Sequence, residues 1–277
     1  MKNALFSFCL LCALSLQAQP LLVGHRGSGW GLENSEESFI NGAKKGYHYL
    51  ETDVKVTSDR QFVCCHNDDL KTWGGTLTIA TNTLAALQAE QLSQTRNGVK
   101  YTGHLCSIAE YLDICNEYGA KPLIELKWAT GINNNDCSNI PALVKLIEEK
   151  GFRSTCIILT SMRPCLEYIR KNYPDITLQY LVNSMTDSAY EFCKTHGIDV
   201  DCRNDGINLT SVRRWHAVGL KVNVWTANTN ADCKVFGDMG CDFITTDRLD
   251  PADLPVLNVD GKAGKIHQRI KRDYSIV

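Results

Sequence analysis

Eight short apolar segments recur along the chain, and this repetition constrains the fold more than any other feature of the sequence. We predict strands at residues 21–26, 49–56, 122–128, 156–160, 177–182, 197–202, 221–226 and 241–246. Predicted helices fill most of the intervals, at residues 36–45, 107–118, 140–150, 164–172, 186–195, 211–218 and 231–239. Strands that are separated by single helices pair in parallel. The pattern therefore predicts an α/β fold, a single (β/α)8 TIM-type barrel.

One segment breaks the alternation. Residues 61–66 follow the second strand after a connection of only four residues, 57–60, which is too short for a crossover helix. We therefore predict an antiparallel hairpin after the second strand, which should bring His66 toward that strand. Residues 67–105 show no strong periodicity and predict an irregular loop over the barrel mouth, with one short helix near residues 84–92.

The two ends of the chain differ from the barrel. Lys2 precedes an apolar run from Ala4 to Leu16, which is typical of a signal peptide and too short to span a bilayer. We predict that residues 1–18 are a signal peptide and that residues 19–277 form the barrel domain. The protein is then expected to be exported, either periplasmic or secreted. The basic tail at 261–272 predicts a solvated terminal helix.

Charge and cysteine content exclude several classes of function. The chain has 29 basic and 31 acidic residues, and the basic residues are scattered, which argues against a nucleic-acid partner or an anionic membrane surface. Of 13 cysteines, Cys9 and Cys12 precede the barrel, and most of the others lie in apolar runs, such as Cys156. These positions indicate buried free thiols rather than a disulfide framework.

Polar side chains follow or end several predicted strands. They are His25, Arg26, Glu51, Asp53, Glu125, Lys127, Arg203, Trp225 and Asp247. In a (β/α)8 barrel the carboxyl ends of the strands meet at one mouth, so we expect these side chains to converge there. Glu51 and Asp53 are two residues apart on one strand and therefore share a face.

Three of these residues predict a metal site. An unpaired carboxylate on a buried strand lowers the free energy of unfolding by roughly several kcal/mol unless a cation compensates its charge. Glu51, Asp53 and Glu125 offer only oxygen, which suits a hard cation, Mg²⁺ or Ca²⁺. Arg26 would contact phosphate oxygens in a bidentate manner, and Lys127 would act as a point charge. With one divalent cation and a phosphodiester monoanion, the charges of such a site sum to zero.

The same residues stand in short motifs whose order along the chain resembles the glycerophosphodiester phosphodiesterase family. The motifs are Gly-His-Arg-Gly at 24–27, Glu-Asn-Ser at 33–35, Glu-x-Asp-Val at 51–54, the returning strand that ends in His66, Ile-Glu-Leu-Lys at 124–127, Val-x-Val-Trp-Thr-Ala-Asn at 222–228 and Asp-Phe-Ile-Thr-Thr-Asp at 242–247. The resemblance covers about residues 21–250. It implies a barrel, a divalent metal, and hydrolysis of small glycerophosphodiesters to glycerol 3-phosphate and an alcohol.

The resemblance also implies roles for single residues. His25 and His66 would be the acid and the base, and Trp225 would form an aromatic wall. It also supports the metal and phosphate roles given above. Two positions depart from the family pattern. Asn67 stands where an aspartate usually follows the histidine, so we expect Asp68 or Asp69 to supply the missing carboxylate, and Leu32 replaces a frequent proline.

Other interpretations stay open for some residues. Glu125 and Lys127 could form an ordinary salt bridge, and Trp225 could be a core aromatic. Residues 27–31 resemble part of a dinucleotide-binding loop but lack its third glycine. A Cys65–His66 nucleophile pair is disfavoured, because adjacent strand residues face opposite ways.

Two other functions remain alternatives. One is a non-catalytic barrel that binds phosphodiesters or a polymer, and the other is a phospholipase D-like phosphodiesterase that acts on lysophospholipids. The sequence leaves the alcohol headgroup, the choice of metal and the oligomeric state open. It also leaves open whether water or the substrate's own 2-hydroxyl attacks phosphorus.

Overall fold

A computed structural model describes residues 19–253 of the protein. The predicted signal peptide and basic tail lie outside these residues. The strands are β1 (Leu21–Gly24), β2 (Tyr49–Val56), β3 (Phe62–Cys64), β4 (Leu92–Arg96), β5 (Val99–Gly103), β6 (Lys121–Leu126), β7 (Ile157–Thr160), β8 (Thr177–Val182), β9 (Asp199–Arg203), β10 (Val222–Trp225) and β11 (Phe243–Thr246). The helices are α1 (Glu36–Lys45), α2 (Leu84–Ala89), α3 (Ile108–Tyr118), α4 (Ile140–Glu149), α5 (Arg163–Asn172), α6 (Asp187–His196), α7 (Leu209–His216) and α8 (Asn230–Met239).

Eight parallel strands close into a barrel, in the order β1, β2, β6, β7, β8, β9, β10 and β11. Closure is complete because β1 pairs in parallel with both β11 and β2. The predicted (β/α)8 barrel is confirmed.

Local sequence sets the ends of the helices, as in α1. Ser35 caps the start of α1 by accepting a hydrogen bond from the Ser38 N–H, and Gly46 ends the helix at φ 89°.

Apolar side chains fill the lower part of the barrel interior. They are Val23, Tyr49, Leu123, Ile157, Leu159 and Phe243. Glu51 and Glu125 lie two residues beyond Tyr49 and Leu123, so they project from the same inner face. The packed layer forms a floor, and the polar side chains gather above it at the carboxyl ends of the strands.

The hairpin predicted after the second strand is present, because β3 pairs antiparallel with β2. The prediction of an irregular loop for the following segment is wrong in part. Beyond the short helix α2, strands β4 and β5 form an antiparallel hairpin. Asn97 and Gly98 turn it at φ 52° and 79°. An Asn-Gly pair between two alternating runs is the usual sequence signal for such a turn.

The cysteine thiols in the described part of the chain are free, as predicted. Ten of the eleven are buried, and Cys137 is half-buried. Burial raises the pKa of Cys65 and Cys115 to about 12, so both stay protonated at neutral pH.

Among residues 19–253, no helix has the length and apolar character needed to cross a membrane.

Candidate active site

The chain turns sharply where β1 ends. Arg26 has φ 52° and Gly27 has φ 91°, both in the left-handed region. A side chain at Gly27 would also collide with Ser38, because a Cβ there would lie 2.4 Å from the Ser38 hydroxyl oxygen. The strained turn lets the Arg26 N–H donate to Glu51 Oε2 at 2.7 Å.

Three carboxylates meet beneath this turn. One oxygen each from Glu51, Asp53 and Glu125 lies within 4.8 Å of the other two. Asp53 and Glu125 are register partners on neighbouring strands, and Asp53 is fully buried. Burial, and after it the neighbouring Asp53, raises the pKa of Glu51 and brings that of Glu125 to about 7. Burial acts in the same direction on Asp53, but Lys127 and Arg26 outweigh it and lower its pKa to about 2.

This carboxylate cluster fits a hard divalent cation. Glu51 Oε1 is buried and has no hydrogen-bonding partner among residues 19–253. A buried carboxylate oxygen without a partner is costly, and a cation would compensate it. The oxygen-only donor set of the three carboxylates, with pairwise separations that one ion can bridge, matches the ligands that Mg²⁺ and Ca²⁺ prefer.

Two basic side chains border the cluster. Arg26 Nη1 lies 2.9 Å from Glu33 Oε1, and Arg26 Nε lies 3.5 Å from Asp53 Oδ2. Lys127 Nζ lies 2.7 Å from Glu125 Oε1 and 3.3 Å from Asp53 Oδ1. The salt bridge between Glu125 and Lys127 is therefore present. Both basic groups have raised pKa values, because the carboxylates outweigh their burial, and they stay charged.

The Glu-Asn-Ser motif at 33–35 supports this arrangement. Asn34 is fully buried at φ 58°, and its Nδ2 donates to Asp53 Oδ2 at 3.0 Å. The Thr52 hydroxyl donates to Asn34 Oδ1 at 2.8 Å, which fixes the amide. Glu33 holds Arg26, and Ser35 caps α1. The motif therefore orients residues of the site and begins the next helix.

His25 pairs with a carboxylate from the opposite end of the sequence. Its Nδ1 lies 2.7 Å from Asp247 Oδ1, just beyond β11. Asn228 Nδ2 donates to Asp247 Oδ2 at 2.8 Å. Burial acts in the opposite direction, but His25, Asn228 and Arg96 lower the pKa of Asp247. The sequence analysis placed Asp247 at the barrel mouth and gave it no role.

His66 pairs with its own neighbour. Its Nδ1 lies 2.8 Å from Asn67 Oδ1, and Asn67 Nδ2 donates to the Thr72 hydroxyl at 2.9 Å. The expectation that Asp68 or Asp69 supplies a carboxylate here is wrong. Lys55 binds Asp68 at 2.5 Å, and Lys71 binds Asp69 at 2.8 Å. Burial is the main cause that lowers the pKa of His66, and Arg26 and Lys127 add to it.

The β4–β5 hairpin adds two residues that the sequence analysis missed. Gln94 Nε2 donates to Glu33 Oε2 at 2.8 Å, and Gln94 Oε1 accepts the Glu33 N–H at 3.2 Å. Arg96 donates to the Ser28 carbonyl and lies 3.5 Å from Asp247 Oδ1. The hairpin thus braces the partners of both Arg26 and His25.

A cavity of about 110 Å³ opens between these groups. It is lined by His25, Arg26, Glu51, His66, Glu125, Lys127, Leu159, Leu181, Asp201, Trp225 and Thr245. Seven of the predicted site residues thus share one cavity, and Asp53 lies beneath it against Lys127. Trp225 forms part of the wall. Arg203 does not line the cavity and pairs instead with Asp205 at 2.5 Å.

Comparison with known proteins agrees with this fold. A curated Bacillus subtilis protein named glycerophosphodiester phosphodiesterase is 26% identical over 247 residues, which cover 83% of this chain and 84% of that protein. The fold matches a solved phosphodiesterase structure from Oleispira antarctica, in complex with the product sn-glycerol-3-phosphate, at TM-score 0.73 and 22% identity over 83% of this chain and 93% of that one. A glycerophosphodiester phosphodiesterase structure from Parabacteroides distasonis matches at TM-score 0.65 and 23% identity, over 83% and 94% of the two chains.

A family model matches nearly the whole barrel, from residue 25 to residue 251. The matched range begins at His25 and includes Asp247, so it contains the complete set of side chains around the cavity. The chain belongs to the glycerophosphoryl diester phosphodiesterase family.

Proposed function

We propose that this protein hydrolyses small glycerophosphodiesters to glycerol 3-phosphate and an alcohol. The observation that carries the proposal is one cavity that gathers three carboxylates, two basic side chains and two imidazoles. Family membership supports it, and so does the product found in the Oleispira antarctica structure. The signal-peptide pattern of residues 1–18 supports an exported enzyme, periplasmic or secreted.

Glu51, Asp53 and Glu125 would hold one divalent cation, Mg²⁺ or Ca²⁺. A cation held there would stabilise the negative charge that builds on the phosphoryl oxygens. The partnerless Glu51 Oε1 is the feature that most favours this role. Three donors around the cluster, the Arg26 N–H, Asn34 Nδ2 and Lys127 Nζ, make four contacts to other oxygens of the same carboxylates.

Arg26 and Lys127 bind the phosphodiester anion. Both already face carboxylates, and a guanidinium with several N–H donors has capacity for a further anion beside Glu33. The carbon skeleton of the substrate lies against Trp225, which stands on the wall of the cavity across from β2. An aromatic ring there shields the reacting phosphate from water.

The two histidines take opposite roles in proton transfer. Asp247 lies 2.7 Å from His25 Nδ1 and orients this imidazole, and we assign His25 as the acid that gives a proton to the leaving alkoxide. His66 has only the neutral amide of Asn67 as a partner and a lowered pKa, so it is neutral and removes the proton of the attacking hydroxyl. That hydroxyl belongs to water or to the glycerol 2-position. A bond forms from its oxygen to phosphorus, and the bond from phosphorus to the alcohol oxygen breaks.

A substrate panel with three metals tests the proposal. Glycerophosphocholine, glycerophosphoethanolamine and glycerophosphoglycerol would be assayed with Mg²⁺, Mn²⁺ and Ca²⁺, before and after chelation. We expect release of glycerol 3-phosphate that stops on chelation and returns with metal. His25→Ala and His66→Ala should each lower kcat by about 100-fold or more.

His104→Ala is the matched control, because His104 is exposed and bonds only the Glu90 carbonyl. Loss of activity in this control would point to general damage. Turnover within tenfold of wild type in both active-site variants would refute the assignment. Metal binding with no turnover of any diester would instead indicate the non-catalytic binding barrel.

A further inference from the structure

One carboxylate that lines the cavity has no part in the mechanism above. Asp201 lies on β9 with only 4% of its surface exposed. Its Oδ1 is fully buried and finds no hydrogen-bonding partner in residues 19–253. Burial, and after it the charge of Glu125, raises the pKa of Asp201 well above its usual range. Burial thus favours the protonated carboxyl, which can both donate and accept a hydrogen bond.

The neighbouring polar side chains bond one another instead of Asp201. The Thr245 hydroxyl donates to Asn223 Oδ1 at 3.1 Å, and Asn223 Nδ2 donates to Gln179 Oε1 at 3.1 Å. This chain of bonds joins β11, β10 and β8 across the barrel and passes by β9, which carries Asp201. On the same side of the barrel, Gln179 Nε2 and Trp225 Nε1 also lack a hydrogen-bonding partner among the described residues.

Asp201 pairs in register with Leu181 on β8 and with Asn223 on β10, and Asn223 is already bonded within this chain of polar groups. The cavity wall on this side is otherwise apolar and continues with Leu159 and Trp225. The two basic side chains and the carboxylate cluster lie on or just after β1, β2 and β6, on the other side of the cavity. A substrate whose phosphate lies at Arg26 and Lys127 therefore extends its organic part toward Asp201.

We propose that Asp201 binds a free hydroxyl of the glycerol moiety and so selects polyol phosphodiesters over diesters that lack hydroxyls. This inference rests on the proposed function. A polyol offers apolar methylene groups for the leucine and tryptophan wall and a hydroxyl for the unpaired Asp201 carboxyl within it. A buried polar group left unpaired by an analogue without the hydroxyl discriminates strongly against that analogue.

A binding cycle with two ligands and two proteins isolates this contact. The ligands are glycerol 3-phosphate and n-propyl phosphate, which differ in the two hydroxyls, and affinity is measured by calorimetry with saturating Mg²⁺. Wild type should prefer glycerol 3-phosphate, and Asp201→Leu should reduce this preference by about fivefold or more. Asp201→Asn keeps hydrogen-bonding capacity and should retain most of the preference.

The kinetic arm compares glycerophosphoethanolamine with bis(p-nitrophenyl) phosphate, which has no hydroxyl. Asp201→Leu should lower kcat/KM about tenfold for the first substrate and less than about twofold for the second. Asp199→Asn is the matched control, since Asp199 is on the same strand, outside the cavity lining, and accepts the Lys221 N–H.

The outcomes separate the two proposals. Absence of wild-type turnover of every glycerophosphodiester in the panel would refute the proposed function itself. Normal wild-type turnover with an unchanged ligand preference in Asp201→Leu would overturn only the role of Asp201. Equal losses on both substrates, together with a lower melting temperature, would also overturn it, because they indicate a structural bond to Gln179.

Discussion

The barrel interior has two halves that differ in character. The charged half comprises β11, β1, β2 and β6 with the residues that follow them, and the apolar half comprises β7 to β10. The charged half carries His25, Arg26, Glu51, Asp53, Glu125, Lys127 and Asp247. The apolar half lines the same cavity with Leu159, Leu181, Asp201 and Trp225. In the charged half nearly every carboxylate oxygen has a hydrogen bond or an ion pair. In the apolar half the Asp201 carboxyl has an oxygen with neither.

The comparison shows how one cavity divides a substrate between its walls. Buried charges that lie close together are stable only when ion pairs and hydrogen bonds compensate each of them. This requirement explains why Asn34, Glu33 and the β4–β5 hairpin surround the charged side chains. In the apolar half the supporting polar groups are neutral, and Asn223 and Gln179 bond each other. Each half nevertheless holds one buried carboxylate oxygen that has neither a hydrogen bond nor an ion pair among residues 19–253, Glu51 Oε1 and Asp201 Oδ1, whereas Asp53 Oδ1 lacks a hydrogen bond but lies 3.3 Å from Lys127 Nζ. We assign the first to a cation and the second to a hydroxyl.

The largest expected effect concerns the unpaired oxygen of the charged half. Glu51→Gln keeps the shape of the side chain and removes the charge that would bind the cation. We expect kcat/KM to fall by roughly 100- to 1,000-fold and the rise in melting temperature on adding Mg²⁺ or Ca²⁺ to disappear.

Glu37→Gln is the control for this variant, because Glu37 is exposed on α1. It should retain both activity and the metal-induced shift. A Glu51→Gln protein that still gained stability from the metal would show that the cation is bound elsewhere, and the contrast between the two unpaired oxygens would fail.

An intermediate effect is expected at Asp247, which supports His25 from outside the cavity. Asp247→Asn preserves a hydrogen bond to Nδ1 and removes the negative charge beside the imidazole. We expect kcat to fall by about 10- to 100-fold with little change in KM, because the proton-donating imidazole loses its charged partner.

Asp250→Asn serves as the matched variant, since Asp250 pairs with Lys45 at 2.5 Å and not with His25. It should retain the kcat of the wild type. A loss in Asp247→Asn that appeared in KM alone would instead place the role of Asp247 in substrate binding.

The smallest expected effect is on stability. In the protein without metal, burial and Asp53 raise the pKa of Glu125 from 4.5 to about 7. A carboxyl whose pKa is raised by folding contributes fully below its unfolded value, and this contribution is lost as pH rises through about 7. We expect the free energy of unfolding of the chelated protein to fall by roughly 2 kcal/mol between about pH 5 and pH 8.

Urea unfolding at several pH values measures this change. Saturating Mg²⁺ should reduce the fall, because a bound cation favours the ionised carboxylates. Glu125→Gln should make the chelated protein less sensitive to pH over the same range. An unchanged pH dependence in Glu125→Gln would assign the effect to another group, such as Asp199, whose pKa burial raises to about 6.

Several parts of the site were predictable because they depend on short-range pattern. The alternation of strands gives Glu51 and Asp53 a common face, and parallel strands bring Glu125 beside them. The β4–β5 hairpin was also within reach, since Asn97-Gly98 is a strong turn signal, but the apparent lack of period in residues 67–105 obscured it. Asn67 itself, not a nearby aspartate, holds His66, and no sequence rule distinguishes these choices.

The sequence alone determined the eight-unit barrel, the inward face of each strand, and the gathering of acidic and basic groups at one mouth, because these follow from the period of apolar residues and the direction of parallel strands. Only the tertiary structure decided which distant side chains meet, as Asp247 meets His25 across 222 positions and Arg96 meets Asp247. It also decided which oxygens stay unpaired. Those outcomes depend on closure of the barrel and on hydrogen-bond geometry at the scale of an ångström, which residue type and spacing do not encode.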